Sequence, residues 1–237
     1  MLLFLPVAAG FSQEDVPELD LELFPEEEPV EYSLHSNAFG FRVGLFWLGQ
    51  SESTEIQGVA PSQLVQNGGI SFRFPVGAVL ALEPGLDLFY REYLFSEDLN
   101  RAVPTLMETG RVTGPLAGVL GAVINLPLSV SLNLGSDRFG LVLKPGISAV
   151  IRIPLWGIDG TTREETNPIL VDLNGNGRFV YPETALGFVL GMGPRTDAEF
   201  GLRVLYPLWH LWDDRNLPFW DNLIVWGSVT LRWQVGN

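Results

Sequence analysis

The chain lacks cysteine altogether, which excludes disulfide bonds, thiolate nucleophiles and cysteine-ligated metal ions. It is also poor in charge, since Asp, Glu, Lys and Arg make up 18% of its 237 residues, below the usual quarter. Recognition of a phosphate backbone needs clustered basic side chains, whereas the 14 Lys and Arg here are scattered and the formal net charge is -14. The composition therefore argues against nucleic-acid binding. With 26 glycines and a mean hydropathy of +0.21, it fits a β-protein with an apolar exterior.

Long hydrophobic runs are missing as well. No stretch approaches the roughly 18 continuous apolar residues of a membrane helix, so a membrane crossing would have to use strands. The short apolar stretch Met1 to Ala9 predicts a secretory signal peptide over residues 1–12, truncated at its start because a basic n-region is missing. A short apolar N-terminus of a cytosolic protein is the alternative. Residues 13–33 are acidic and rich in proline, which predicts a disordered periplasmic tail before a β-barrel domain at 34–237.

From Phe39 onward, apolar and polar residues alternate with a period of two, which is the pattern of strands whose two faces meet different surroundings. In the first segment Phe39, Phe41 and Val43 share one face, while Gly40 and Arg42 share the other. The same alternation recurs at residues 70–74, 80–91, 128–134, 141–153, 199–206 and 222–235. Segments 116–126 and 184–192 are apolar on both faces. The dominant period therefore predicts strands rather than helices.

Four prolines, at positions 75, 127, 154 and 194, fall where a strand is expected to end in a short turn, because proline cannot donate to a ladder. Longer polar stretches lie between them at 50–67, 92–111, 159–183 and 208–218. Short turns that alternate with long loops are typical of transmembrane barrels. The sequence thus predicts an all-β fold, a single antiparallel up-and-down transmembrane β-barrel of about ten strands. Eight strands are the alternative, because the strand near Leu155 to Ile158 is weak.

The polar face of the predicted strands carries charges of both signs. A soluble barrel would turn this face outward, whereas a membrane barrel turns it into the lumen and exposes the apolar face to lipid. The charges are sparse and diluted by Gly and Ser, which favours a crowded lumen in which opposite charges pair. Four aromatic residues near strand ends, Trp47, Tyr90, Tyr206 and Trp233, predict interfacial girdles. The predicted lumen charge cluster comprises Arg42, Arg73, Glu83, Asp87, Lys144, Arg152, Glu199, Arg203 and Arg232.

Through this pattern, which covers Phe39 to Val235, the chain resembles the small outer-membrane β-barrel proteins of diderm bacteria. The resemblance implies a location in the bacterial outer membrane, contact with its lipid, a cleaved signal, insertion by the barrel-assembly machinery and loops outside the cell. We expect no enzymatic activity and a role as a structural protein, a surface-loop binder or a narrow solute channel. The alternative is a soluble secreted barrel, similar to a lipocalin, that binds an apolar ligand inside.

One segment matches the calcium-loop pattern D-x-[DN]-x-[DN]-G-x5-E at every specified position. Oxygen side chains at alternate positions would converge on one hard cation, and a bidentate glutamate would complete the shell. A proline within the loop and the absence of flanking helices weigh against the match, and a chance match in an Asn-Gly-rich outer loop is the alternative. Calcium is the one cofactor that the sequence predicts, with Asp172, Asn174, Asn176, the Arg178 carbonyl and Glu183 as ligands.

A Trp-rich segment brings His210 close in sequence to Asp213 and Asp214. An Asp–His pair at a barrel rim could activate water, as in outer-membrane proteases. One histidine beside two aspartates is more often a hydrogen-bonded loop, and no other part of a catalytic set is present in the sequence. We therefore predict no catalytic residue here and regard His35, just before the first strand, as structural.

Overall fold

The computed structural model describes residues 36–49, 64–97, 100–104, 114–134, 138–158, 160–212 and 217–235. All of them belong to the compact unit Glu31–Asn237. The predicted signal peptide and acidic tail lie outside the described residues. Within those residues, no helix combines the length and the apolar character needed to cross a membrane.

Ten strands and one short helix account for most of the described chain. The strands are β1 (Ala38–Leu48), β2 (Leu64–Pro75), β3 (Leu80–Leu82), β4 (Gly85–Ser96), β5 (Arg101–Pro104), β6 (Leu116–Asn133), β7 (Phe139–Ile158), β8 (Val180–Gly191), β9 (Thr196–Leu205) and β10 (Ile224–Gln234). The helix α1 (Asn167–Asn174) lies between β7 and β8, and 3-10 turns occupy Gly175–Gly177 and Leu208–Leu211.

The strands form one antiparallel sheet that closes on itself. β1 pairs with β2 on one side and with β10 on the other. From β10 the pairing continues through β9, β8, β7 and β6 to β4, which in turn pairs with β2. β3 and β4 fill successive parts of one position in the wall, between β2 and β6, and β5 pairs with the far end of β4. The predicted antiparallel barrel of ten strands is confirmed, and the ten strands make a circuit of eight positions.

Two of the predicted turns are wrong. Pro127 lies inside β6 and Pro154 inside β7, so the weak strand expected at Leu155 to Ile158 is the end of β7. The ladder accommodates both prolines. The pairing of β6 with β7 is interrupted beyond Pro127, where Pro145 lies on the facing strand, and it shifts register between Gly118 and Val119, opposite Pro154. Because proline removes one donor and not the strand itself, an interruption or a bulge is enough to keep it in a barrel wall.

The two ends of the barrel differ. At one end, here called the turn end, short connections at 76–79, 134–138 and 192–195 join the strands, and β1 begins and β10 ends there. At the other, here called the loop end, lie the strand ends that the longer connections 49–63, 105–115, 159–179 and 206–223 join. This is the asymmetry between turns and loops that transmembrane barrels show.

Exposure alternates along the strands. On β1, Phe41 and Val43 are 53% and 63% exposed, whereas Arg42 between them is 9% exposed. Apolar side chains therefore face outward and charged side chains face the lumen, the inverted arrangement that the sequence predicts. Exposed and half-buried aromatic residues lie near both ends of the outer surface, as Phe39, Phe72, Phe74, Phe139 and Trp233 at the turn end and Trp47, Tyr90, Trp156, Tyr206, Phe219 and Trp220 at the loop end.

Candidate functional site

The lumen nearest the turn end holds six charged side chains in mutual contact, here called the turn-side network. The Lys144 ammonium lies 2.5 Å from Glu83 and 2.6 Å from Glu199. Arg232 bridges Asp197 at 2.7 Å and Glu199 at 2.6 Å. Its members are Arg73, Glu83, Lys144, Asp197, Glu199 and Arg232, and Arg73 donates to Glu83 at 2.7 Å. Three positive and three negative groups make the network neutral.

Four further charges form the central network, midway along the barrel. The Asp87 carboxylate accepts from Arg42 at 2.8 Å and from Arg203 at 3.1 Å. Arg203 also lies 3.5 Å from Glu183, and the Ser148 hydroxyl donates to the same Glu183 carboxylate at 2.6 Å. Two arginines and two carboxylates balance here as well. Neutrality matters because a lone charge surrounded by a protein wall and lipid would be very costly to desolvate.

A small polar cavity of about 20 Å³ remains where the two networks meet. Its lining includes Glu83 and Lys144 from the turn-side network and Arg42 and Glu183 from the central network. About 10–15 Å³ is enough for the centre of one water molecule, so this space suits one buried water and no larger solute. Within the part of the chain that the structure describes, paired charges fill the lumen from the turn end to its centre.

Toward the loop end, an apolar plug lies above the central network. Arg203 marks the boundary, because its guanidinium lies 3.8 Å from the centroid of the Trp226 ring. Phe46 meets Phe89 edge to face at 4.9 Å, and Tyr181 meets Trp209 edge to face at 4.5 Å. The plug consists of Phe46, Leu48, Val65, Phe89, Val123, Val150, Tyr181, Leu205, Trp209, Ile224 and Trp226.

Trp209 belongs to the connection between β9 and β10, so one outer loop turns back to complete the plug. Its side chain is 2% exposed and packs against Tyr181 of β8. The loop end of the lumen is therefore covered by the protein's own outer connections.

The helix α1 forms the core of an outer cap, defined here as α1, the 3-10 turn Gly175–Gly177 and β5. Ile169 and Leu173 of α1 pack on Ala102 of β5 and on residues from β4 and β6. The Asp172 carboxylate accepts from the Ala102 amide at 2.8 Å and pairs with Arg178. These contacts fix the helix against β4, β5 and β6 and hold it over the lumen.

The turn that precedes α1 is fixed by reciprocal hydrogen bonds. The Thr162 amide and hydroxyl donate to the Glu165 carboxylate at 2.6 and 2.9 Å, and the Glu165 amide donates to the Thr162 hydroxyl at 3.4 Å. This pairing follows the capping-box pattern. Hydrogen bonds from Thr162 to the ionised carboxylate lower the pKa of Glu165 below its ordinary value.

The structure places eight of the nine predicted lumen charges within the two networks, and it places Arg152 elsewhere. Arg152 lies under the outer cap, where it donates to the Tyr181 hydroxyl at 3.0 Å. Two network members, Glu183 and Asp197, were missed as lumen charges. β8 begins at Val180 and β9 at Thr196, a few residues earlier than the alternation suggested, and both acids follow the inward phase of their strands. Extending the alternation by one or two residues would have found them.

The five predicted calcium ligands do not converge on one point. Glu183 faces the lumen and contacts Ser148 and Arg203, while Asp172 is engaged by Arg178 and the Ala102 amide. The Asn174 carboxamide accepts from the Arg152 amide at 3.1 Å and donates to the Arg152 carbonyl at 2.8 Å. Because α1 ends and β8 begins inside the matched segment, its two acidic ends lie in different parts of the fold, Asp172 in the outer cap and Glu183 in the central network. The described residues contain no group of three or more His, Asp or Glu side chains placed to hold a metal ion.

His210 lies in the connection that carries Trp209. Its Nε2 atom is 2.8 Å from the Asp221 carbonyl oxygen, which is the hydrogen-bonded loop role that the sequence favours. Asp213, Asp214 and His35 lie outside the described residues.

Solved structures with a similar arrangement come from bacterial surface proteins. Neisserial surface protein A is 9% identical with a TM-score of 0.47, and the match covers 84% of this chain and 96% of that one. The outer membrane protein OprG of Pseudomonas aeruginosa is 10% identical at 0.47, covering 86% and 100%. The outer membrane protein Ail of Yersinia pestis is 5% identical at 0.41, covering 84% and 99%. No protein-family model and no curated protein sequence matches the chain.

Proposed function

We propose that this protein spans the bacterial outer membrane as a non-conducting barrel that holds an ordered cap at the cell surface. The membrane location is supported by the outer face of the strands. Leu45, Leu143, Leu186 and Leu202 are each exposed by 46% or more, on different strands of one closed wall. A soluble monomer rarely exposes a continuous apolar belt of this kind, whereas lipid would cover it.

The orientation follows from the asymmetry of the two ends. The loop end carries α1, β5 and the 3-10 turn Leu208–Leu211, and the turn end carries short connections. Outer-membrane barrels place short turns in the periplasm and long loops outside. The outer cap therefore faces the exterior, and the barrel-assembly machinery would insert the chain from the turn end, as the resemblance implies.

The observation that carries the proposal is the filled lumen. The two neutral charge networks occupy the turn end and the centre of the lumen, and the apolar plug occupies its loop end. A conducting pore needs a continuous aqueous path, whereas the lumen cavity described above measures about 20 Å³. The filling also weighs against a lipocalin-like role, because the interior that would hold an apolar ligand contains ten charged groups in two ion-pair networks.

With the lumen filled, the surface available for interaction is the outer cap and its flanking connections. We infer a structural or surface-binding role without enzymatic activity. The described residues contain no group of three or more His, Asp or Glu side chains placed to hold a metal ion, and the hydroxyl–carboxylate pair Ser148–Glu183 is buried in the lumen, away from a substrate.

Two measurements test this proposal. The refolded chain is first compared on an SDS gel with and without boiling, because a closed barrel has no open strand edge and resists SDS until heated. It is then inserted into a planar bilayer beside a large porin as a positive control. We expect a mobility shift and no stable conductance steps. A chain that stays folded and monomeric without detergent would contradict the membrane location, and steady unit conductance would contradict the filled lumen.

A further inference from the structure

A second buried cavity, also of about 20 Å³, lies between the outer cap and the apolar plug. It is separate from the lumen cavity and shares no lining residue with it. Its lining comes from five parts of the fold that the barrel brings together: β5, β7, α1 with the turn that follows it, β8, and the connection that carries Trp209. The residues are Arg101, Ala102, Arg152, Asp172, Leu173, Arg178, Tyr181, Trp209 and Asn222.

Among the described residues, the charges around this cavity do not balance, in contrast to the two networks in the lumen. Arg101 forms a bidentate pair with Asp221, with Nη2 at 3.0 Å from Oδ2, and Arg178 pairs with Asp172. Arg152 has no carboxylate within ion-pair distance among the described residues. Its guanidinium meets only neutral oxygens there: it donates to the Tyr181 hydroxyl at 3.0 Å and the Leu173 carbonyl at 3.5 Å, and it also lies beside the Tyr93 hydroxyl.

Several buried donors around the cavity also lack an acceptor among the described residues. Arg101, Arg152 and Trp209 are each at least 97% buried, yet among the described residues the Nε atoms of the two arginines and the indole Nε1 atom have no hydrogen-bond acceptor. A buried donor without an acceptor costs about 1–3 kcal/mol, and a buried cation without a counter-charge costs more. Three such donors around one cavity point to an acceptor that fills it.

We propose that this cavity binds a small monovalent inorganic anion, with chloride as the physiological candidate. One negative charge would neutralise Arg152, and a spherical anion accepts from several donors at once without a geometric preference. The volume suits a particle of about the size of a water molecule, which favours a halide ion over a larger oxyanion. The bound anion would join α1 to β5 and β7 and so fix the outer cap on the barrel. The inference concerns the interior of the cap and does not depend on the membrane location.

The test uses the full chain refolded in detergent in a chloride-free buffer at constant ionic strength. Chloride is titrated against gluconate, and the folded fraction is followed in urea. At a chloride concentration ten times the dissociation constant, the ratio of folded to unfolded protein is expected to rise about elevenfold, because the anion binds only the folded state. Bromide should give a similar rise, and the response should saturate.

Arg152→Met removes the unbalanced charge, and Arg163→Gln is the matched control because Arg163 is exposed in the turn before α1. We expect the control to keep the saturable response and Arg152→Met to lose it. General salt effects on burial act on both variants alike, so an equal response in the two would overturn the site. So would a folded fraction of the unaltered protein that does not depend on chloride.

Crystals of the unaltered protein soaked in bromide give an independent answer, because they need no variant to fold. An anomalous peak within hydrogen-bond distance of Arg152 and Arg101 supports the anion. A well-ordered water without anomalous signal at that position would show that the cavity holds solvent and would overturn the proposal.

Discussion

Lys144 on β7 and Glu199 on β9 are joined by an ion pair of 2.6 Å, although β8 lies between their strands in the wall. The contact therefore passes over β8 along the inner wall, where the Glu199 carboxylate lies against Gly187. Since Lys144 also lies 2.5 Å from Glu83, one ammonium group ties three separate parts of the barrel together. The lumen charges thus act as internal cross-links. Removing one of them should lower the stability of the whole barrel.

Replacement of Lys144 by Met is expected to lower the free energy of unfolding by about 3–5 kcal/mol, because it leaves two buried carboxylates short of a counter-charge. Urea unfolding in detergent or lipid vesicles measures the loss. Arg138→Met, in an exposed turn position, is the control and should cost little. The double variant Lys144→Met with Glu199→Gln restores neutrality and should recover part of the loss. If the single and double variants were equally stable, charge balance would not be what stabilises the network.

The plug should tolerate no added volume at Gly121 of β6. A Cβ atom built there would overlap the Phe89 ring, which occupies the space directly over the glycine. We expect Gly121→Ala to destabilise the barrel by about 1–3 kcal/mol through overpacking. Gly227→Ala is the matched strand control, since a Cβ atom at that position would meet no atom of the described residues within 4 Å. Equal effects of the two substitutions in urea unfolding would argue that Phe89 moves aside without cost.

The free-energy cost of placing a charge on the outer face should depend on its depth in the membrane. Val43 lies midway along β1, four residues from Phe39 at one aromatic end and four from Trp47 at the other. Val43→Arg is expected to cost about 2–4 kcal/mol in lipid vesicles, and Val235→Arg, beyond the end of β10, about 0–1 kcal/mol. The free energy of folding into vesicles gives both values. Two equal and small costs would indicate that water, not lipid, surrounds the strands.

The outer cap can be loosened without opening the barrel. Asp172→Ala removes the acceptor of the Ala102 amide and the partner of Arg178. Hydrogen exchange at the Ala102 amide should therefore become faster, while amides in the middle of β8 and β9 keep their protection. Faster exchange throughout the barrel would mean that the cap and the wall unfold as one unit.

Calcium binding by the 172–183 segment stays a prediction, and the structure sharpens its test. Because Glu183 contacts Ser148 and Arg203 in the lumen, Glu183→Gln should leave any calcium affinity unchanged. Isothermal titration of the two proteins checks this. If the unaltered protein bound calcium and Glu183→Gln did not, the segment would have to rearrange around the metal, as the motif predicts.

Which residues face lipid and which face the lumen was determined by the sequence, because a strand places successive side chains on opposite faces whatever it pairs with. This local rule correctly assigned Phe41, Arg42 and Val43, and it made the inverted barrel predictable. The axial position of each residue, in contrast, was decided by tertiary structure. Pairing register set Arg152 beside the cap instead of among the lumen charges, and it kept Pro127 and Pro154 inside continuous strands. Register depends on contacts between strands far apart in the chain, and those contacts have no local signature in the alternation of residues.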